Sequence, residues 1–401
     1  MKLAFKIAFR YFKSRKKKSF ISIISNLSMV GVAVGTMALV VVLSVFNGLE
    51  ELNRQLFRSF DPDIKIGPST GKRFELNPII FSKIKRIEGI KFITEVIEDN
   101  ALARYGDLQA VIKLKGVDST FLLRHQLDTA MVEGRFLLNA DGEPKAIIGG
   151  TVQGQLRVMV EDNFRPFELW YPRSGKTLNL NSPNAFNQQF IKVGGVYSLE
   201  SNLDNYVIAP LGFVSQLLEY KNQRTALEIQ LISESYSEKT KEKLQELLGS
   251  KFTVLTRDEQ NADLLRAIRI EKLFVTIALA FIMLVAAINI FFSLSMTVLE
   301  KKEDIKMFFA MGATPTLIKQ IFLLEGIIVA FTGATIGLIL GIALCWLQDS
   351  YGLVTMQLSN AITNSYPVKM IGQDFVMTGL VIVFITTIVS YLPAARAAKM
   401  R

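Results

Sequence analysis

Four stretches of the chain carry no charged side chain: 19–48, 273–299, 326–348 and 375–395. About 20 apolar residues cross the hydrocarbon of a bilayer, so each stretch is long enough for a membrane-spanning helix. Between the first and second stretches the texture changes. Runs rich in β-branched and aromatic residues, bounded by Gly, Pro and Asn, predict strands at 63–66, 90–98, 108–116, 146–149, 189–197, 206–209, 226–232 and 252–255. Helical spacing appears between them at 78–86, 210–220, 237–248 and 257–272. The pattern therefore predicts an α-helical membrane protein with four transmembrane helices and a large α+β extracytoplasmic domain inserted between helices 1 and 2. No breaker separates 257–272 from the second apolar stretch, so one long helix is expected to carry domain movement rigidly into the membrane.

The segment 300–316 follows the second apolar stretch directly. It reads Glu-Lys-Lys-Glu-Asp-Ile-Lys-Met-Phe-Phe-Ala-Met-Gly-Ala from Glu300 to Ala313, short, charged and helical in pattern. Such a segment, joined to a span at each end, is where a soluble motor would grip a membrane protein. Ile305, Phe308 and Phe309 are expected to present its apolar face, flanked by Glu303 and Asp304, with Met307 and Gly312 in the same segment.

Charge then fixes the expected sidedness. The net charge is +10, and the bases gather beside the spans. Lys2, Lys6, Arg10, Lys13, Arg15, Lys16, Lys17 and Lys18 precede the first; Lys301, Lys302, Lys306 and Lys319 lie near the loop after the second; Arg396, Lys399 and Arg401 follow the last. Cytoplasmic loops carry the Lys/Arg excess, so both termini and the 300–316 segment are expected inside. The basic run leads straight into an uncharged stretch, which argues against a nucleic-acid arm. The expected organisation is a basic amphipathic helix at 1–18, spans at 19–48, 273–299, 317–348 and 375–395, the outer domain at 49–272, an outer loop at 349–374 and a tail at 396–401. The first apolar run is about twice the length of a signal-peptide core and has no small-residue cleavage site, so it reads as an uncleaved anchor.

Small residues mark expected helix contacts. Gly31 and Gly35 form one small-xxx-small step, and Gly333, Gly337 and Gly341 form two more. The bulky second half of the first span is either lipid-facing or lines an apolar cavity. Glu325, one residue before the third apolar run, is expected to play a structural part, within reach of Lys319 or a backbone terminus. The stretch 170–189 is dense in Pro, Gly, Ser and Asn and reads as an exposed loop, either a docking arm or a plain long hairpin.

Catalytic chemistry is missing. One cysteine, Cys345, and one histidine, His125, exclude an internal disulfide and a His/Cys metal cluster, so no metal is expected. Gly175-Lys176-Thr177 and Gly71-Lys72-Arg73 imitate the end of a phosphate loop without its other positions. The chain is not expected to be an enzyme.

Several motifs together resemble a known family. The segments Ile7-Ala-Phe-Arg-Tyr-Phe-Lys-Ser-Arg, Phe20-Ile-Ser-Ile-Ile-Ser, Gly31-Val-Ala-Val-Gly35 and Val42-Leu-Ser-Val-Phe-Asn-Gly48 resemble the LolC/LolE-type permeases of lipoprotein-releasing ABC transporters. Glu303 to Ala313, Phe322-Leu-Leu-Glu-Gly326 and Pro393-Ala-Ala-Arg-Ala-Ala398 are similar to the coupling segment and C-terminal signature of the wider MacB/FtsX superfamily. Phe309 stands where that family often has a basic residue, which implies a more apolar grip, and the tail stops at Arg401, shorter than in many relatives.

The resemblance implies a non-catalytic subunit in the bacterial inner membrane with a periplasmic domain. It pairs with a second copy or a paralogue, docks an ABC ATPase dimer that binds ATP and Mg, holds no cofactor of its own and meets membrane lipid. Its implied work is to extract lipoproteins from the outer leaflet and pass them to a periplasmic carrier. A cavity for the acyl chains is then expected from Met37, Val41, Val45, Phe46, Phe274, Ile277 and Phe281. The 170–189 arm would dock the carrier through Tyr171, Pro172, Arg173, Pro183 and Phe186. A MacB-like mechanotransmission exporter and an FtsX-like signalling permease are the alternatives.

Overall fold

The structure, a computed structural model, describes residues 2–13, 20–124, 127–140, 142–162, 164–173, 185–199, 203–356 and 365–400. The bases at 15–18, His125, the Gly175-Lys176-Thr177 imitation, Pro183 and Arg401 lie outside the described residues. The chain divides into two compact units. One is a membrane unit that ends at Leu52 and resumes at Leu264; the other is the inserted domain, Asn53–Asp263.

In the membrane unit, four helices among the described residues are long and apolar enough to cross a bilayer. They are Phe20–Phe60, Ala262–Glu300, Pro315–Tyr351 and Gly372–Ala397, referred to below as the first to fourth membrane helices. A basic helix, Lys2–Lys13, precedes them, and a short helix, Lys302–Ala310, joins the second to the third. The first helix runs well past the uncharged window, because Leu56, Phe57 and Phe60 continue its apolar spacing through a charged stretch and are buried in the inserted domain's unit.

Eleven strands form one mixed sheet in the inserted domain. Its path begins at Phe252–Thr256 and passes through Ile64–Pro68, Ala226–Leu231, Ile90–Tyr105, Leu108–Val117, Tyr206–Pro210, Glu143–Gly149 and Phe186–Tyr197 to Met131–Gly134. Most neighbours are antiparallel. Tyr206–Pro210 runs parallel to Leu108–Val117, and Glu143–Gly149 runs parallel to Phe186–Tyr197. Side chains alternate across the sheet with period two. Ala146, Ile148, Val207 and Ala209 enter a core covered by the helices Gly150–Leu156 and Leu211–Leu218. Their neighbours Ile147, Tyr206 and Ile208 enter a second core on the other face, with Phe60, Phe121 and Tyr197. Both faces of the central strands are therefore dry, which is why these strands read as unbroken apolar runs. A third core forms where the helices Pro78–Lys85 and Ser237–Leu248 cover Ile64, Ile66, Ile229 and Val254.

The expected helix over 257–272 is interrupted. Arg257–Gln260 ends at Asn261, and the long helix begins at Ala262. Asn261 Nδ2 donates to the Arg257 carbonyl at 3.2 Å and to Asp61 Oδ2 at 2.7 Å. Its side chain thus competes with the helical ladder, the usual reason Asn breaks helices.

One buried charge cluster belongs to this domain. Glu228, 1% exposed, sits 2.7 Å from Lys115 Nζ and 2.7 Å from Arg124 Nη2. The Lys115 ammonium also lies 4.9 Å from the centre of the Phe60 ring. Burial alone would raise the Glu228 pKa, but Lys115 and Arg124 outweigh it and hold the carboxyl at about 2, against an ordinary 4.5. A depressed carboxylate stabilises the fold fully above the ordinary value, and that contribution is lost as pH falls from 4.5 through about 2. Removing one partner leaves two buried cations uncompensated. Glu228→Gln is therefore expected to cost about 3–5 kcal/mol at neutral pH, measured by chemical denaturation of the domain. In wild type the triad's contribution should begin to fade only below about pH 4.5.

Candidate functional site: the short helix after the second membrane helix and its supports

The turn into the third membrane helix is specified residue by residue. The short helix Lys302–Ala310 carries Glu303 and Asp304 in its first turn, where the helix dipole favours negative charge. It ends through Gly312 at φ +88°, a left-handed conformation that suits glycine. The Ala313 amide donates back to the Phe308 carbonyl at 2.9 Å, closing the turn. Thr314 then caps the third membrane helix through its side-chain oxygen, and Pro315 takes the first helical position.

The expected apolar face is corrected here. Ile305 is 1% exposed and packs in a cluster with Ala4, Ala8, Val298, Ile318, Ile321, Phe322, Ala394 and Ala397. Phe308 and Phe309 are half-buried against the same cluster. Ile305 holds the short helix to the membrane unit and is not presented outward, while Phe308 and Phe309 keep part of their surface open. The reason lies far off in sequence: the N-terminal helix and the end of the fourth membrane helix supply the walls of that cluster. The outward apolar side chains are Met307, 58% exposed, and Met311, 67% exposed, beside the exposed Glu303 and Lys306.

Tyr11 ties the N-terminal helix to this corner. Its hydroxyl donates to Asp304 Oδ2 at 3.4 Å, its ring lies 5.4 Å from Lys301 Nζ, and it stands 6.3 Å from the Phe322 ring. Burial first, and then Asp304, push the hydroxyl well above its ordinary pKa, so it remains a donor. Glu325 is fully buried in the third membrane helix, while Lys319 lies 4.0 Å over the Tyr391 ring.

The five small residues sit at helix contacts. A Cβ on Gly31 would meet Ala286 at 3.3 Å, and one on Gly35 would meet Met283 at 3.7 Å, both on the second helix. A Cβ on Gly333 would come 2.6 Å from the Met29 carbonyl; one on Gly341 would come 3.0 Å from Val40. At Gly337 it would overlap the Ala33 carbonyl oxygen. The first helix is thus approached at glycine distance by the third helix, and more loosely by side chains of the second.

The residues suggested for an acyl cavity lie on the first and second membrane helices. Phe274, Ile277 and Phe281 share one helix face and are 68%, 57% and 65% exposed. Met37, Val41, Val45 and Phe46 on the first helix are half-buried. In the inserted domain, Phe167–Pro172 and Phe186–Tyr197 form an antiparallel stem that pairs Tyr171 with Asn187 and Pro172 with Phe186. The Tyr171 hydroxyl donates to Asp99 at 2.8 Å, so this tyrosine anchors the stem. Pro172 and Arg173 are exposed at its end.

A polar knot at the other end of the membrane helices is not evident from the hydropathy pattern. Asn47, 4% exposed, donates to Asp374 Oδ2 at 2.5 Å and to the Lys369 carbonyl at 3.3 Å, and accepts from Lys272 Nζ at 2.6 Å. Lys369 Nζ reaches Glu51 at 2.8 Å, and the Pro367 backbone lies against Gly48 where no Cβ would fit. Its one trace in the sequence is a lone asparagine near the end of an apolar run, with charges just outside the others.

Two substitutions check these contacts. Gly337→Val forces the first and third helices apart and is expected to lower the melting temperature of the purified permease by several degrees, corresponding to about 1–3 kcal/mol. Asn47→Ala leaves the Lys272 and Asp374 groups without their shared partner, with an expected loss of about 1–3 kcal/mol in the same thermal assay.

Known proteins share this organisation. Residues 25–247 match the MacB-like periplasmic core domain, and residues 276–401 match the FtsX-like permease C-terminal model. The lipoprotein-releasing system transmembrane protein LolE of Haemophilus influenzae is 25% identical over 100% of this chain and 98% of its own length. LolC of the same system from Buchnera aphidicola is 26% identical over 86% of this chain and 84% of its own. Among solved structures, the periplasmic region of MacB from Actinobacillus actinomycetemcomitans covers 50% of this chain and 91% of that chain, at 12% identity and a TM-score of 0.35. With a MacB-like core domain over more than half its length and an FtsX-like permease C-terminal segment behind it, the chain belongs to the MacB/FtsX permease family and is a multi-pass membrane permease of the LolC/LolE type.

Proposed function

We propose that the chain is the membrane-spanning subunit of an ABC transporter that draws lipoproteins out of the outer leaflet of the inner membrane and passes them to a periplasmic carrier. The observation that carries this reading is the match to LolE of a lipoprotein-releasing system along essentially the whole of both chains. The chemistry of such cargo supports a motor-driven device. An acyl anchor gains about 0.8 kcal/mol per buried CH₂, so pulling a multi-acyl anchor from lipid is too costly for thermal motion alone. The motor is a separate ATPase dimer that binds ATP and Mg. The termini and the short helix lie in the cytoplasm, in keeping with the Lys/Arg excess there. The ATPase grips Met307 and Met311, with Glu303 beside them, because Ile305, Phe308 and Phe309 are committed to the cluster behind. The uncovered face of Phe274, Ile277 and Phe281 meets acyl chains or a second permease, either another copy or a paralogue. The stem ending at Pro172 and Arg173 leads to the carrier contact.

Affinity purification from native membranes, followed by mass spectrometry of proteins and acyl chains, tests this reading. A separate ATPase together with acylated lipoproteins is the expected result. An ATPase without lipoproteins would move the assignment to a MacB-like exporter or an FtsX-like signalling permease. For the contact itself, Met307→Asp with Met311→Asp should reduce ATPase co-purification at least about tenfold, equivalent to ~1.4 kcal/mol, while the permease stays inserted. Wild-type co-purification from that variant would refute the assigned grip. Phe308→Asp is the poorer probe, since it buries a charge in the supporting cluster.

A further inference from the structure

We propose that the outward flank of the N-terminal helix Lys2–Lys13 is a binding surface for anionic phospholipid. The helix has two unlike sides. Ala4 and Ala8 are fully buried, with Ile7 and Tyr11 half-buried beside them, in the cluster that also holds Ile305 and Phe322. At 3.6 residues per turn these four share one side. Lys2, Lys6, Arg10 and Lys13 fall on the opposite side and are all exposed. Phe5 and Phe9, 53% and 49% exposed, border the basic stripe, their rings stacked with centroids 6.3 Å apart. Leu3, 58% exposed, borders it on the other flank.

Charge complementarity selects the occupant. The helix has no acidic residue, so nothing within it neutralises the four cations. A zwitterionic headgroup offers them no net attraction, whereas an anionic phosphate surface does. The stacked rings match the acyl boundary, as in helices that lie in the plane of an interface. The tether keeps the helix there. The first membrane helix begins at Phe20, and the seven peptide steps from Lys13 span at most about 25 Å. The flank therefore lies within reach of the bilayer surface, whatever cargo the permease carries, and the proposal does not rest on lipoprotein release.

The test is native mass spectrometry of the full-length permease after exchange into micelles holding phosphatidylglycerol and phosphatidylcholine in equal amounts. Wild type should retain phosphatidylglycerol severalfold over phosphatidylcholine. The exposed triple substitution Lys2→Gln, Lys6→Gln, Arg10→Gln should cut that preference at least threefold at an unchanged melting temperature. Phe5→Ser with Phe9→Ser should lower phosphatidylglycerol retention as well. A triple variant with the wild-type lipid preference overturns the proposal. So does one that keeps its lipid but loses a co-purifying protein, which would make the flank a protein contact. Should the variant fail to accumulate, a photoreactive phosphatidylglycerol on wild type decides: labels within 2–13 support the surface, and labels confined elsewhere refute it.

Discussion

The membrane unit depends on how closely the first helix can be approached. In lipid there is no hydrophobic gain from bringing two apolar helices together, so association rests on van der Waals contact, hydrogen bonds and lipid entropy. Gly333, Gly337 and Gly341 let the third helix come within carbonyl distance of Met29, Ala33 and Met37. Gly31 and Gly35 face the second helix from the other side, in looser contact with the Ala286 and Met283 side chains. With the first helix held on both sides, the third and second helices acquire fixed ends. The short helix Lys302–Ala310 joins those two ends, so its position follows from packing deep in the apolar region.

The same dependence explains why the corner is rigid. Gly312, Thr314 and Pro315 set the backbone, and Ile305 is driven into a cluster built by four other segments. A helix of nine residues is marginal alone in water, so tertiary burial supplies its stability. The side chains left over, Met307 and Met311, are flexible and polarizable, suited to filling an irregular partner surface. The two sides of one short helix thus differ through its periodicity: one is buried in the supporting cluster and the other is exposed.

Much of this is legible in the sequence. Helix lengths follow from uncharged runs, because the bilayer sets them. Strand positions such as 206–209 follow from dry apolar runs, because both faces of Tyr206–Pro210 are covered. The glycine steps are readable because close approach leaves few other residues possible. What local pattern cannot supply is anything decided by distant partners. Ile305 looks outward until Ala4, Ala8 and Ala394 are seen around it. Asn47 is silent until Lys272 and Asp374 arrive from the second and fourth helices. The strand Phe167–Pro172 reads in part as loop, since it runs into the stretch from 170 that is dense in Pro, Gly, Ser and Asn, and only pairing with Phe186–Tyr197 and Ile90–Tyr105 makes it a strand.

On the N-terminal helix, size is a better guide to the buried side than apolarity. In a water-soluble core the largest apolar side chains go inside, because burial scales with area. In the N-terminal helix the order is reversed: Ala4 and Ala8 are fully buried, and Phe5 and Phe9 are exposed. The second membrane helix does not follow that order, since Met283, Ile290 and Leu294 are buried along with Ala287. Protein contact in or beside lipid is limited by how near two backbones can come, and small side chains permit that. Large ones gain as much from acyl chains as from a neighbouring helix, so they lose nothing by facing outward. Ranking side chains by apolarity alone places Phe above Ala and therefore points the N-terminal helix toward the wrong side. The spacing of its small residues points it toward the cluster that holds Tyr11 and Ile305.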